Sequence, residues 1–162
     1  MRIRQFLLPS PTPKFLIRVL AIALTAYLFF GHIYIPLRIQ GSSMEPTYRN
    51  GGLNLLSRLR YVRSRPRRFD VVAVRFTGNR LMLLKRVVAL EGETIEFRDG
   101  KLFVNGKAVH EPYVRYPCDW DLPPRLVEQD SVYVVGDNRS MPMENHFFGH
   151  ASLKRIIGGP LW

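Results

Sequence analysis

The sequence predicts one N-terminal transmembrane helix followed by a mainly β domain, an antiparallel sheet or barrel-like structure. Three observations point there. Residues 15–35 are almost wholly apolar, and past Pro36 the apolar residues come instead in short runs rich in Val, Ile and Phe. Between those runs stand Asp-Gly and Asn-Gly, and no helix-length segment intervenes that could carry parallel crossovers. A length of 162 residues leaves room for one domain plus a short extra element, and 46% hydrophobic with 23% charged residues suits a folded chain rather than a disordered one.

The apolar span from Phe15 to Ile35 is interrupted only by Arg18 near its start and His32 near its end. Wound as an α-helix it is roughly 31 Å long, the thickness of a bilayer's hydrocarbon core. Arg18 can snorkel to the headgroups, and His32 and Tyr34 suit the far interface. Arg2, Arg4, Lys14 and Arg18 precede the span while Arg38 alone follows closely, so the positive-inside rule puts the N-terminus in the cytoplasm. Residues 1–14 then form a short basic cytoplasmic tail, 15–35 an anchor and 36–162 an extracytoplasmic domain. The stretch is long for a cleaved signal peptide and no small-x-small site follows it. A buried helix of a soluble core is the other alternative.

The strands follow in order. Phe69–Phe76 is one, Gly78-Asn79 a turn and Leu81–Leu90 the next. Thr94–Phe97, Lys101–Val104 and Lys107–Val109 come after, separated by Asp99-Gly100 and Asn105-Gly106, dipeptides that favour the positive φ of tight hairpin turns. Residues 111–130 are Pro-rich and read as irregular, and Ser131–Val135 is a last clear strand ending in Gly136-Asp137-Asn138-Arg139.

The net charge of +11 comes largely from a loop-like run containing Arg58, Arg60, Arg63, Arg65, Arg67 and Arg68. No zinc-finger, RRM or helix-turn-helix pattern accompanies it, so no nucleic-acid partner is expected. Cys118 is the single cysteine, which excludes an internal disulfide, and His32, His110, His146 and His150 lack ligand spacing. No metal and no cofactor are expected.

Chemistry concentrates in two segments. Gln40-Gly41-Ser42-Ser43-Met44-Glu45-Pro46-Thr47 places a serine at a Gly/Pro-bracketed bend just past the apolar span, and Leu83-Leu84-Lys85-Arg86-Val87-Val88 places a lysine inside an apolar strand. A serine hydroxyl needs a base to become a nucleophile. Lysine serves only when its pKa falls, since at about 10.4 roughly one molecule in 2,500 is neutral at pH 7. Leu81, Leu83, Leu84, Val87 and Val88 supply the apolar surroundings that favour the neutral amine, which singles out Lys85.

Gly41-x-Ser43-Met44-x-Pro46-Thr47 resembles the nucleophile box of the type I signal peptidase family, the serine–lysine peptidases of family S26. Arg68-Phe69-Asp70-Val71-Val72 is similar to its next strand, usually Arg-Gly-Asp-Ile/Val-Val. Lys85-Arg86-Val87-Val88-Ala89-Leu90-Glu91-Gly92-Glu93 resembles its lysine box, and Gly136-Asp137-Asn138-Arg139 with Phe148-Gly149 its last box. The four occur in family order behind an apolar anchor. The resemblance implies a membrane-anchored endopeptidase that removes signal peptides from exported preproteins after small residues. Ser43 would be the nucleophile, Lys85 the general base, and the backbone N–H of Ser43 an oxyanion donor. It also implies a peptide extended between Ile39–Ser43 and Met82–Leu84, with Ile39, Gln40, Gly41, Ser42, Met44, Met82, Leu83 and Leu84 forming its site. The expected partners are preprotein signal peptides and the lipid bilayer, and the expected location is a bacterial inner membrane rather than a mitochondrial one.

Departures are concentrated in the last box, whose family pattern is Gly-Asp-Asn-x-x-x-Ser-x-Asp-Ser-Arg-x-aromatic-Gly. Here Pro142 replaces the serine that helps orient the lysine, and Glu144, Asn145 and His146 replace Asp, Ser and Arg. Asp137, Asn138 and Arg139 are expected to support the site, Glu144 to pair with His146, and Ser140 or Asn145 to take over the orienting role. Gly41 stands where many members carry a second, hydroxyl oxyanion donor. Phe147, Phe148, Leu161 and Trp162 could face the membrane, with core packing favoured for Phe148 and the interface for Trp162. The competing readings are a specialised relative, such as a conjugation-associated or mitochondrial inner-membrane peptidase, and an inactive membrane-tethered domain that binds peptide or lipid. A self-cleaving repressor of related fold lacks the DNA-binding helix pair it would need.

Overall fold

The computed structural model describes residues 12–75 and 82–162. Helix α1, Pro13–Leu28, opens with Thr12, whose Oγ1 accepts from the Phe15 N–H at 3.3 Å, and with Pro13 in the first turn, where a missing N–H does no harm. A π-helical turn, Phe29–Ile33, prolongs it. The apolar helix thus covers Pro13–Ile33, 21 residues, and none of its residues is buried among the described residues. Such exposure is compatible with a membrane span, because a helix apolar on all sides is stable only in apolar surroundings. Tyr34 and Ile35, expected within the span, instead begin strand β1, Tyr34–Arg38.

The remaining strands are β2 (Leu53–Ser57), β3 (Val71–Arg75), β4 (Met82–Ala89), β5 (Thr94–Arg98), β6 (Lys101–Val104), β7 (Lys107–Ala108), β8 (Leu122–Leu126), β9 (Ser131–Val135), β10 (Gly149–Ser152) and β11 (Ile156–Pro160). They form two antiparallel sheets, ordered β1-β2-β11-β3-β4-β9-β10 and β7-β6-β5-β8. The domain is mainly antiparallel β behind one apolar helix, as expected. Asp99-Gly100 and Asn105-Gly106 take positive φ throughout, 48°, 71°, 51° and 73°, and turn β5 into β6 and β6 into β7.

One apolar core joins Val88, Ile95, Phe97, Leu102, Val104, Trp120 and Val135 between the sheets. A second joins Val72, Val74, Val87, Val132 and Val134 on the other side of the large sheet. Burial on both faces explains the unbroken apolar runs 71–74 in β3, 87–89 in β4 and 132–135 in β9.

Two expectations need correction. The Pro-rich stretch 111–130 contains β8, and Pro123 and Pro124 are tolerated there because β8 lies at a sheet edge, beside β5 alone. The strand expected from Phe69 begins only at Val71, because Phe69 adopts a left-handed backbone with φ 72°. Its family counterpart is usually glycine, which accepts that conformation without strain. Phe76, the Gly78-Asn79 turn and Leu81 lie outside the described residues.

Candidate active site

β4 runs through the middle of the large sheet, paired with β3 along Met82–Arg86 and with β9 only from Arg86 to Ala89. The β9 chain turns away at Gly136, so Met82–Leu84 keeps an open edge. Across from that edge stands the bend after β1. Ile39 exchanges hydrogen bonds with Gly51 and Gly52, and the Gly41 N–H donates to Asn50 Oδ1 at 3.1 Å, so this segment is already held from behind. Ile39–Ser43 is therefore an extended segment and bend rather than a strand. The groove between the two has a volume of about 290 Å³ and is lined by Leu37, Arg38, Ile39, Gln40, Gly41, Ser43, Met44, Met82, Leu83 and Leu84. Ile39 and Met44 are buried in its floor.

Lys85 and Ser43 meet at the inner end of this groove. Lys85 is 2% exposed, and its Nζ donates to Ser43 Oγ at 2.9 Å. Burial pushes its pKa down to about 8 against a smaller opposing pull from the Asp137 carboxylate. About one molecule in eleven then carries a neutral Lys85 at pH 7, enough to act as a base. The Ser43 N–H has no acceptor among the described residues, which leaves it available to a developing oxyanion.

The last box holds the serine bend from behind. The Asn138 N–H donates to the Ser43 carbonyl at 3.0 Å, and Asn138 Nδ2 donates to the Ser42 carbonyl at 3.1 Å. Ser140 Oγ donates to Asn138 Oδ1 at 2.7 Å, orienting that amide. Asp137 is fully buried and accepts from Thr47 Oγ1 at 2.5 Å and from both prongs of Arg86. Arg139, also fully buried, donates to the Gly136 carbonyl and to both oxygens of Glu111. Gly136 admits no side chain, since a Cβ there would collide with the Ser43 carbonyl on one side and His146 Nε2 on the other.

The structure corrects several expectations for individual residues. Ser42 does not line the groove; its hydroxyl points away and donates to Met141 Sδ at 3.7 Å. Glu144 and Asn145 are exposed, and Glu144 makes no pair with His146. His146 is instead buried and accepts from the Gly136 N–H at 2.9 Å, and burial followed by the charges of Lys85 and Arg139 lowers its pKa to about 3. Ser140 acts on Asn138 and does not reach Lys85. Phe148 packs on the core as favoured, while Phe147, Leu161 and Trp162 are exposed. Roles missed in the sequence are those of Thr47, Glu111 and Trp120, whose distance along the chain hid them, and of Arg86, which lay within a quoted motif.

A family model described as signal peptidase, peptidase S26, matches residues 13–160. The chain belongs to that family. It is similar to signal peptidase I V of Bacillus subtilis (strain 168), 31% identical over 140 residues that cover 78% of this chain and 83% of the relative. It is similar also to thylakoidal processing peptidase 1, chloroplastic, of Arabidopsis thaliana, 31% identical over 81% of this chain but only 42% of that protein. A crystal structure of a signal peptidase I from Enterococcus faecalis V583 superposes with a TM-score of 0.50 at 26% identity, covering 59% of this chain and 97% of the other. The protein is thus a signal peptidase by family, a hydrolase acting on signal peptides.

Proposed function

We propose that this signal peptidase is a membrane-anchored serine endopeptidase that uses Ser43 as nucleophile and Lys85 as general base, cleaving preproteins after small residues of the Ala-x-Ala type. The observation that carries the reading is the 2.9 Å hydrogen bond between Lys85 Nζ and Ser43 Oγ at the end of a groove. Neutral Lys85 takes the Ser43 proton as Oγ attacks the scissile carbonyl, and the Ser43 N–H supports the oxyanion. The resulting ammonium returns its proton to the leaving amine, and the acyl group stays on Oγ. Lys85, neutral again, then activates the water that releases it.

The open edge of Met82–Leu84 and the facing Ile39–Gly41 segment offer main-chain hydrogen bonds to an extended signal peptide. Ile39, Met44, Leu83 and Leu84 give shallow apolar contacts that favour small side chains. The helix Pro13–Ile33 spans the bilayer with its N-terminus inside, in a bacterial cytoplasmic membrane. Beside its C-terminal end lies the segment Arg58–Tyr61, followed by Val62 and Arg63. Exposed Leu59 and Val62, interleaved with Arg58 and Arg63, suit contact with headgroups at that level.

Cleavage of an Ala-x-Ala preprotein by detergent-purified full-length protein tests the reading against Ser43→Ala and Lys85→Ala. Turnover by wild type alone, with both variants folded, is the expected result. Turnover that survives in Ser43→Ala removes the proposal.

A further inference from the structure

Three features of the last box remain outside the mechanism. His146 is 4% exposed in the chain's interior, although its Nδ1 has no partner among the described residues. The family's residue at this position is arginine, which has no acceptor atom. Pro142, finally, cannot supply the hydroxyl that orients the lysine in relatives. A buried histidine with an unpaired ring nitrogen is a poor choice for packing alone, because an apolar ring of the same size would leave no orphan there.

His146 makes its one hydrogen bond to the main chain that touches the serine. Nε2 accepts from the Gly136 N–H at 2.9 Å, which places the ring proton on Nδ1. A Cβ on Gly136 would lie 2.4 Å from His146 Nε2 and 2.2 Å from the Ser43 carbonyl oxygen, so imidazole, glycine and serine backbone are in close contact at one point. Two residues on, the Asn138 N–H donates to that same Ser43 carbonyl. The imidazole is itself fixed by Trp120, which meets it edge-on at 4.8 Å and donates Nε1 to the Met141 carbonyl. Met141 in turn accepts from Ser42. Residues 141–146 therefore grip the serine bend at two points.

We infer that His146 is a positioning residue, which through Gly136 fixes the Ser43 backbone and so sets the distance from Ser43 Oγ to Lys85 Nζ. Orientation of the dyad, which relatives achieve with a hydroxyl beside the lysine, is here achieved from the serine's side. The inference rests on the Ser43–Lys85 reading above and adds the part that replaces the missing hydroxyl.

Steady-state cleavage of an Ala-x-Ala peptide by the full chain in detergent, with His146→Phe, His146→Asn and His146→Gln, tests it. A Gln amide oxygen reaches the place of Nε2, whereas the shorter Asn does not, and Phe fills the volume without an acceptor. The expected result is a fall in kcat of roughly a hundredfold for Phe and Asn, the scale of an ångström's misplacement, with KM within about twofold of wild type. His146→Gln should recover kcat to within about threefold. If His146→Phe does not fold, the Gln and Asn variants decide, both being neutral and polar. Equal kcat in Gln and Asn, or a loss confined to KM, overturns the inference. Nitrogen chemical shifts of His146 at pH 7 give a readout independent of turnover, with an unprotonated Nε2 expected and a protonated one overturning the proposal. Failure of the dyad reading shows separately, as wild-type turnover that Ser43→Ala leaves intact.

Discussion

Arg86 grips Asp137 with two hydrogen bonds, Nε to Oδ1 at 2.8 Å and Nη2 to Oδ2 at 2.6 Å. The Asp137 carboxylate pulls the pKa of Lys85 upward, against the burial that lowers it. The guanidinium therefore compensates a carboxylate that would otherwise hold the neighbouring lysine protonated.

Arg86→Gln should raise the Lys85 pKa above about 8 and move the acid limb of the kcat/KM profile to higher pH. The double variant Arg86→Gln/Asp137→Asn should bring the limb back, since the uncompensated charge is gone. A pH–rate profile for the three proteins checks this, and a limb that stays put in Arg86→Gln contradicts it.

Lys85 should also lower stability. Its pKa falls from 10.5 unfolded to about 8 folded, so below pH 8 it is charged in both states and burial penalises the fold by about 3 kcal/mol. The penalty fades as pH rises from about 8 to 10.5, where the unfolded chain binds the extra proton. Lys85→Met should thus be inactive yet more stable at pH 7, with the gain shrinking towards pH 10. Denaturant unfolding at both pH values measures it; a variant less stable at pH 7 would count against the buried-amine account.

Phe69 tests backbone strain. The residue is 36% exposed and its ring meets Tyr113, while its φ of 72° suits glycine. Phe69→Gly should be more stable than Phe69→Ala by about 1 kcal/mol, the reverse of the usual order for these residues in strands. Equal unfolding midpoints for the two would remove strain as the explanation.

Ser140 and Asn145 should behave differently. Ser140→Ala frees the Asn138 amide that holds the Ser42 carbonyl and should lower kcat several-fold, by about 1 kcal/mol. Asn145→Ala, at an exposed position, should leave turnover unchanged. Matching losses in the two would restore a direct role for Asn145.

The apolar helix and the hairpins were legible because each depends on residues close together or on a pattern of fixed period, whereas the Ser43–Lys85 pair, 42 residues apart, was legible through the resemblance of its two segments to the family's boxes. The Asp-Gly and Asn-Gly turns need positive φ, and Lys85 stood out as a charge amid apolar neighbours. What stayed hidden depends on contacts far apart in sequence. Arg139 finds Glu111 across 28 residues, and Thr47 finds Asp137 across 90. Strand β8 was hidden by its prolines, which an edge position permits. The expected pairing of His146 with Glu144 fails because the burial of His146 beside Gly136 leaves no mark on the local sequence.

Lys85 and Arg86 are consecutive on a strand, where successive side chains point opposite ways. One cation meets the serine and loses its proton readily; the other, with a pKa raised further, meets a carboxylate and keeps its own. A shift of β4 by one residue against β3 would turn guanidinium towards Ser43, a group that does not release a proton in proteins. Loss of a single residue from β4, with every core valine still apolar, would then leave a folded sheet unable to do base chemistry. Strand register is in this protein a condition of turnover as much as of folding.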